Sequence, residues 1–315
     1  RFSLFLCVSL LFDFLFIFRK YKRLEMEKQL RRKIFFFIKI VVTLVILYFI
    51  FKKIDFEAVY SNFFKINLIT LFLILLTSVI KFFTQVQNWQ WYLSLSPHYK
   101  INRREIVKSH FIGLALRFLI PGGHAVFGKV FFVENKKKFT ILSIGIEKFF
   151  QTWIILFFAS FSSIFFFKNL SLTLRLFIFF FILILPLFAY VIDIFLEKDS
   201  HKKLIKSYLN ILPKVLLSQT IYISQTVIQY FLIVNAISKI SFLKTLIAVP
   251  LILSANVIPI TYSGLGMRET FSMTVFNKYN IEPSTAVSAS LIIFIINSVL
   301  PAIAGLLIFL YEKRR

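Results

Sequence analysis

Six ionisable side chains fall within or beside long apolar runs, where a charge is costly. An ionised side chain near the bilayer centre costs about 2.5–3.5 kcal/mol on insertion scales, so six facing lipid would cost roughly 15–20 kcal/mol. These groups must therefore pair, snorkel, or face water or a polar ligand. They are Arg117, Lys129, Glu147, Lys148, Arg268 and Glu269.

Two of the arginines flank breaks in the apolar runs. Arg117 lies one turn before Pro121, and Arg268 and Glu269 directly follow a glycine. Two guanidinium groups, with the backbone N–H groups at the starts of returning half-helices, are suited to hold a phosphate. Alternatively, Glu147 and Glu269 neutralise these arginines and only hold the fold together. Both interpretations stay open at this point.

Prolines and glycines cluster at the same two breaks. Both residue types end helices, since proline removes a backbone donor and glycine permits positive φ. Broken backbone at membrane depth persists only when it is buried in protein or lines a wet cavity. Paired interruptions in the two halves of a chain indicate a transporter site, and kinks packed against neighbouring helices are the alternative. The breaks contain Pro121, Gly122, Gly123 and Gly128, then Pro259, Gly264 and Gly266.

The composition argues against a soluble or disordered protein. The 315 residues are 58% apolar, with a mean hydropathy of +0.81, whereas soluble domains are about 45–50% apolar. A net charge of +24 would suggest nucleic acid in a soluble protein. Here the basic residues lie mainly in short gaps between apolar runs, as in membrane proteins. We therefore expect a membrane protein with no nucleic-acid partner.

Six apolar runs are long enough to cross a bilayer, which takes roughly 20 residues. Two further runs, Ser109–Pro121 and Thr245–Pro259, are shorter. If both short runs are re-entrant, 23 Lys and Arg lie inside and 8 outside, against 19 and 12 if both cross fully. The positive-inside rule favours the re-entrant arrangement. The six spans are Ile34–Phe51, Leu68–Leu93, Ile141–Phe167, Leu176–Leu196, Val215–Ile237 and Ser284–Leu310.

We therefore predict an all-α, polytopic transmembrane helix bundle with six full spans and two re-entrant broken helices. The first hairpin enters from inside and the second from outside. We expect a multi-pass protein of the cell inner (plasma) membrane with a cytoplasmic C-terminus. Residues 26–315 are expected to form a single transmembrane domain. Residues 1–25 are expected to be an extension ahead of a start at Met26, and the alternative is an extra span with its N-terminus outside.

Three spans carry polar residues at helical spacing along one face. This pattern predicts an interior polar path, and interhelical hydrogen bonding is the alternative explanation. The ammonium groups of Lys39 and Lys81 are expected to snorkel to the membrane interface. The three stripes are Thr77, Lys81, Gln85 and Asn88; Ser143, Glu147 and Gln151; and Ser218, Tyr222, Gln225 and Gln229.

Several familiar sites are excluded by the sequence. Residues 123–130 fit the ATP-binding pattern GxxxxGK, but Val130 stands where that loop needs a Ser or Thr for Mg²⁺. A weaker hypothesis remains, which is that backbone N–H groups at a helix start, beside Lys129, are suited to bind an anion. The histidines lack metal-ligand spacing, and no nucleophile–base pattern occurs. We predict no catalytic residue, metal or cofactor.

The residues around the breaks resemble the lysylphosphatidylglycerol synthase membrane-domain family, which comprises flippase-like integral membrane proteins. The resemblance covers residues 26–315 and is carried by Leu119-Ile120-Pro121-Gly122-Gly123, Glu147-Lys148 and the block from Ile258 to Glu269. His124 and Lys129 stand near a position that is usually acidic in the family. Lys148 replaces an Arg, and Gln151 lies near a second acidic position.

The resemblance implies a lipid flippase that moves a phospholipid or lipid-linked headgroup between leaflets. It implies translocation rather than synthesis, since no soluble aminoacyl-transferase domain is present in these residues. Other family members are associated with glycosyltransferases, which leaves the cargo open. The alternatives are an enzyme that uses Glu147, Glu269 or His124, and a membrane subunit that binds a lipid-modifying enzyme or glycosyltransferase.

The residues predicted to bind the lipid substrate all lie at or near the two breaks. They are Arg117, Pro121, Gly122, Gly123, His124, Lys129, Glu147, Lys148, Gln151, Pro259, Gly264, Gly266, Arg268 and Glu269.

Overall fold

Helices account for nearly all of the chain that the computed structural model describes, which is residues 56–97, 99–119, 123–187, 199–258, 261 and 264–313, with residues 37, 41, 44 and 48. The predicted all-α fold is confirmed over these residues. A 3₁₀ helix, Gly123–Phe132, follows α3, and a π-helical turn, Ile295–Val299, joins α9 to α10. The α-helices are α1 (Phe56–Phe64), α2 (Leu68–Leu93), α3 (Arg103–Leu119), α4 (Lys137–Phe166), α5 (Leu172–Ile184), α6 (Asp199–Ile237), α7 (Phe242–Ser254), α8 (Met267–Asn277), α9 (Pro283–Phe294) and α10 (Leu300–Lys313).

Four helical segments are long and apolar enough to cross a membrane, so the chain is a multi-pass membrane protein. They are α2, α4, residues Ile205–Ile237 of α6, and the continuous segment Pro283–Tyr311. The apolar segments Leu172–Leu187 and Phe242–Val257 are shorter. The predicted span Ile34–Phe51, the end of the span Leu176–Leu196 and the extension 1–25 lie outside the described residues, apart from a few single positions.

The surface of the bundle is apolar where lipid tails would lie. Helix α5 has no buried residue, and its Phe177 and Phe181 are 67% and 59% exposed. A helix this apolar on all sides is stable at a surface only when that surface meets hydrocarbon. Helix α5 therefore faces the lipid.

Helix α3 and the 3₁₀ helix form an antiparallel hairpin, which we call hairpin 1. Gly113 lies against the Lys129 side chain. At the open end, the Glu105 carboxylate accepts hydrogen bonds from the Glu134 N–H at 3.0 Å and the Tyr99 hydroxyl at 3.2 Å. Burial, reinforced by the Glu105 charge, raises the pKa of Tyr99, so this hydroxyl stays a donor. Hairpin 1 therefore returns to the end of the bundle from which it enters.

Helices α7 and α8 form the corresponding hairpin 2. Its turn contains Gly264 and Gly266 at φ +79° and +84°, a region that favours glycine because it has no Cβ. The Lys244 ammonium, near the start of α7, lies 5.9 Å from the ring centroid of Tyr279, just after α8. Both ends of hairpin 2 therefore lie at one end of the bundle.

The two hairpins enter from opposite ends of the bundle. Helices α2 and α6 run antiparallel, since Gln229 bonds Ser78 at 2.7 Å and Gln219 bonds Tyr92 at 3.5 Å. Hairpin 1 opens beside the end of α2, to which a short loop joins it, and hairpin 2 opens beside the end of α6. Helix α3 has 17 residues, a length of about 25 Å, which is short of a hydrocarbon thickness of about 30 Å.

Hairpin 1 packs backbone to backbone against α10. A Cβ built on Gly305 would overlap the Phe111 carbonyl and would come within 3.1 Å of the Ala115 Cβ. Small residues permit this close approach in membrane bundles. The first hairpin and the last helix are therefore held as a unit.

We expect Gly305→Ala to lower the free energy of unfolding by about 1–3 kcal/mol, because the added methyl group forces the two backbones apart. Gly145→Ala is the matched control, since a Cβ there meets no atom within 4 Å and alanine favours a helix by about 1 kcal/mol. Thermal unfolding of the purified protein in detergent measures both. Equal melting temperatures for the two variants would contradict the close packing.

Candidate functional site

The three polar stripes predicted from the sequence meet one another inside the bundle. Lys81 of α2 donates to the Gln229 side chain of α6 at 3.3 Å. Gln151 of α4 donates to the Gln85 side chain of α2 at 3.2 Å. The interhelical hydrogen bonding named as the alternative explanation is therefore present, and it joins α2, α4 and α6 along a polar seam.

A buried ion pair joins hairpin 1 to α4. The Lys129 ammonium lies 2.9 and 2.8 Å from the two Glu147 carboxylate oxygens, and both side chains are at most 3% exposed. Gln151 also donates to Glu147, at 3.3 Å, and the Lys129 ammonium lies 4.3 Å from the ring centroid of Trp89. Both Glu147 oxygens thus contact Lys129. The alternative interpretation, in which Glu147 neutralises an arginine, needs Glu147 as the direct partner of Arg117, and the structure pairs it with Lys129 instead.

The second buried carboxylate, Glu269, organises the turn of hairpin 2. It accepts hydrogen bonds from the Gly266 N–H at 2.6 Å and from the Ser290 hydroxyl at 2.8 Å. The first contact satisfies a backbone donor at the start of α8, where helices leave such donors without an intrahelical partner. Glu269 therefore fixes the place where α8 begins, and with it the position of Arg268.

The arginines of the two hairpins, Arg117 and Arg268, both lie within electrostatic range of one tyrosine, Tyr222 of α6. Arg268 is 6% exposed, with its guanidinium carbon 5.2 Å from the ring centroid of Phe294. Arg117 is exposed at the end of α3 and lies within electrostatic range of Lys148. Each hairpin thus contributes one cation within electrostatic range of Tyr222, a buried one in Arg268 and an exposed one in Arg117.

The reading of Lys81 as a snorkelling lysine is wrong. Its side chain is 3% exposed, and its ammonium lies 4.7 Å from the ring centroid of Tyr222. It is also within electrostatic range of Arg268. The signal was present in the sequence, since Lys81 lies on the same polar stripe as Gln85. The other residue read this way, Lys39, lies outside the described residues.

Sequence reasoning also missed Asn297, which lies in the π-helical turn. Its amide donates to the Gln229 side chain at 2.7 Å and accepts from the Ser78 hydroxyl at 3.1 Å. π-helical turns are often found at functional sites. The only sequence signal was a single asparagine within the apolar span Ser284–Leu310.

Three more of the predicted residues, Gly123, His124 and Gly264, lie at the hairpin turns. Gly123 and His124 lie in the first turn of the 3₁₀ helix, where an α-helical start was expected. A 3₁₀ helix rises about 2.0 Å per residue, so ten residues return over about 20 Å. A Cβ at Gly264 would lie 2.8 Å from the Asn256 amide oxygen, so this position requires glycine. Pro121, Gly122 and Pro259 lie outside the described residues.

Lys148 and Gln151, which were also predicted to bind substrate, form a hydrogen bond with each other. The Lys148 ammonium donates to the Gln151 side chain at 3.0 Å. Together with the contacts of Gln151 to Gln85 and Glu147, this places Lys148 at the polar seam. Whether these residues bind lipid stays a prediction.

Comparison with known proteins gives one family. The family described as the lysylphosphatidylglycerol synthase TM region has a model that matches residues 36–305 of this chain. The match includes both hairpins and every residue predicted to bind substrate. A search of curated proteins gives no significant match.

We expect Lys129→Met to destabilise the protein by about 3–5 kcal/mol, because it leaves the Glu147 carboxylate buried without its ionic partner. The double variant Lys129→Met with Glu147→Gln removes both charges and should recover most of that loss. Thermal unfolding in detergent compares the two variants with the parent protein. A double variant as unstable as the single one would contradict the account of the ion pair.

Proposed function

Since the chain belongs to the lysylphosphatidylglycerol synthase transmembrane-region family, we propose that it moves a phospholipid or lipid-linked headgroup between membrane leaflets. The headgroup passes through the polar interior between hairpins 1 and 2. The observation that carries the proposal is that Arg117 of hairpin 1 and Arg268 of hairpin 2 both lie within electrostatic range of Tyr222. One cation comes from each hairpin, so a phosphate held between them is reached from both ends of the bundle.

The physical problem of lipid movement is the headgroup, because its charge is costly in hydrocarbon. The polar seam between α2, α4 and α6 supplies hydrogen-bonding groups at the depth where the bilayer has none. The apolar surface of α5 and its neighbours lets the acyl tails stay in lipid. A headgroup inside and tails outside is the arrangement that a lipid path requires.

Most of the predicted residues have a role in this proposal. Arg117 and Arg268 bind the phosphate, and guanidinium groups are suited to two parallel hydrogen bonds with its oxygens. Gly264 lets the backbone of the hairpin 2 turn approach the ligand, while the Gly266 N–H is held by Glu269. Lys148 and Gln151 line the path on the side of α4. Gly123 and His124 belong to the first turn of the 3₁₀ helix of hairpin 1.

We assign the protein to the plasma membrane with its C-terminus in the cytoplasm. The positive-inside rule supports this orientation, because the end of the bundle where α3 and α4 begin is richer in lysine and arginine than the opposite end. Hairpin 1 then opens to the cytoplasm and hairpin 2 to the outside.

The double variant Arg117→Ala with Arg268→Ala should reduce lipid movement at least tenfold, because loss of two charge-assisted hydrogen bonds of about 1.5–3 kcal/mol each removes the phosphate contacts. The measurement is leaflet-to-leaflet movement of fluorescent anionic lipids in vesicles that contain the purified protein.

Arg103→Ala with Arg104→Ala is the matched control, since both arginines are exposed at the start of α3, and it should transport normally. Unchanged transport in the Arg117 and Arg268 variant would reject the proposed phosphate contacts. No transport by the parent protein would instead favour a membrane subunit that needs a lipid-modifying partner.

Single cysteines test the orientation. In a protein with Cys7→Ser, Lys100→Cys should react with a membrane-impermeant thiol reagent only after the cytoplasmic face is opened, and Lys239→Cys should react in intact cells. Both positions are exposed, at opposite ends of the bundle. The reverse pattern would place the C-terminus outside.

A further inference from the structure

Two lysines of the described bundle are almost completely buried, and they are held in different ways. Lys81 and Lys129 are 3% and 2% exposed. The Lys129 ammonium contacts both carboxylate oxygens of Glu147, at 2.9 and 2.8 Å. The Lys81 ammonium has no carboxylate partner among the residues that the structure describes. A buried cation without a counter-ion is costly, so the position of Lys81 needs an explanation that the position of Lys129 does not.

Lys81 lies near the middle of a membrane span. Helix α2 runs from Leu68 to Leu93, so Lys81 is about 18–20 Å from either end of the helix at a rise of about 1.5 Å per residue. A lysine side chain cannot reach the interface from there, and the centre of a bilayer contains no water to solvate it. Ionisable side chains at this depth mark the paths of substrates and ions.

The contacts of the Lys81 ammonium are weak for a buried charge. It donates to the Gln229 side-chain oxygen at 3.3 Å and lies 4.7 Å from the ring centroid of Tyr222. The same Gln229 oxygen accepts a shorter hydrogen bond, at 2.7 Å, from the Asn297 amide. An ammonium group has three N–H donors. One long hydrogen bond to a shared, neutral oxygen therefore uses only a small part of the capacity of Lys81.

The groups around Lys81 hold one another in place without it. The Gln229 amide nitrogen donates to the Ser78 hydroxyl at 2.7 Å, and its oxygen accepts from Asn297. The Ser78 hydroxyl also donates to the Asn297 side chain at 3.1 Å, so these three residues form a closed network. The ammonium of Lys81 can therefore change its acceptor at small cost to the surrounding structure.

We propose that Lys81 binds the phosphate of the lipid headgroup at the middle of the membrane, exchanging its contact with Gln229 for the phosphate oxygens. The inference rests on the proposed lipid transport and assigns a further ligand-binding residue to it. The transported anion supplies the counter-ion that no described residue gives to Lys81, at a depth where charges attract more strongly than in water. Lysine binds phosphate as a point charge, so it holds a moving group without demanding one orientation.

The test replaces Lys81 by methionine, which has a similar length and no charge. Lys81→Met should keep or raise the melting temperature in detergent, because it removes a buried charge that has no counter-ion, whereas Lys129→Met should lower it. Movement of fluorescent phosphatidylglycerol between the leaflets of vesicles should fall at least tenfold, which corresponds to the loss of one charge-assisted hydrogen bond.

Lys214→Met is the matched control, because Lys214 is exposed on α6, and it should transport normally. A lower melting temperature for Lys81→Met would make Lys81 a structural residue. An unchanged transport rate for this variant would show that no phosphate contact is lost. Either result overturns the inference.

Binding experiments locate the effect at the ligand. Short-chain, water-soluble phosphatidylglycerol and inorganic phosphate are each titrated by calorimetry into the purified full chain in detergent. The lipid should bind the parent protein at least tenfold more tightly than it binds Lys81→Met, and inorganic phosphate should bind neither protein measurably. Equal affinity of the lipid for both proteins would overturn the assigned contact. Binding of inorganic phosphate that depends on Lys81 would overturn the lipid as its ligand.

The inference and the proposed function fail in different ways. If the parent protein binds the short-chain lipid through Lys81 but moves no lipid in vesicles, transport is overturned and the phosphate contact is supported. If the parent protein and Lys81→Met move lipid equally fast, the phosphate contact is overturned and transport is supported.

Discussion

Hydrocarbon solvates neither charges nor unpaired backbone groups, and this constraint governs every polar feature of the bundle. Two broken helices are stable at membrane depth only because protein surrounds them. The Lys129–Glu147 ion pair, at 2.8 and 2.9 Å, compensates a buried charge in hairpin 1. It also joins the returning segment of this hairpin to α4. Glu269 satisfies a backbone donor of hairpin 2 by accepting a hydrogen bond from the Gly266 N–H at the start of α8.

In the proposed transport, the polar seam is the path of the headgroup. Serines, glutamines and asparagines on α2, α4, α6 and the π-helical turn bond one another across the helix interfaces. Neutral amides such as Gln229, which contacts Ser78, Lys81 and Asn297, both donate and accept. Such groups exchange one partner for another at small cost, which suits a surface that a charged ligand crosses.

Much of the architecture could be predicted because helix length and helix breaks are local properties. The span Leu68–Leu93 was predicted to the residue, and Pro121 and Gly264 marked the hairpins, since backbone conformation depends on a residue and its neighbours. Charge balance predicted that the two hairpins enter from opposite sides, and the structure has them at opposite ends of the bundle.

The pairing of charges could not be predicted, because it depends on which elements pack together. Lys129 and Glu147 are 18 positions apart on different elements, and nothing in the sequence favoured Lys129 over Arg117 as the partner of this carboxylate. Lys81 was misread because its spacing fitted both an interfacial and an interior position. The placement of Arg117 and Arg268 near Tyr222 depends on how hairpin 1, hairpin 2 and α6 pack together, which no local sequence pattern encodes.

The contact between Gly305 and the Phe111 carbonyl has a mechanical consequence. Two helices whose main chains touch cannot slide past one another, so hairpin 1 and the terminal helix α10 behave as a single rigid body. In the proposed transport, a motion that opens the interior then displaces this unit as a whole against α2 and α6.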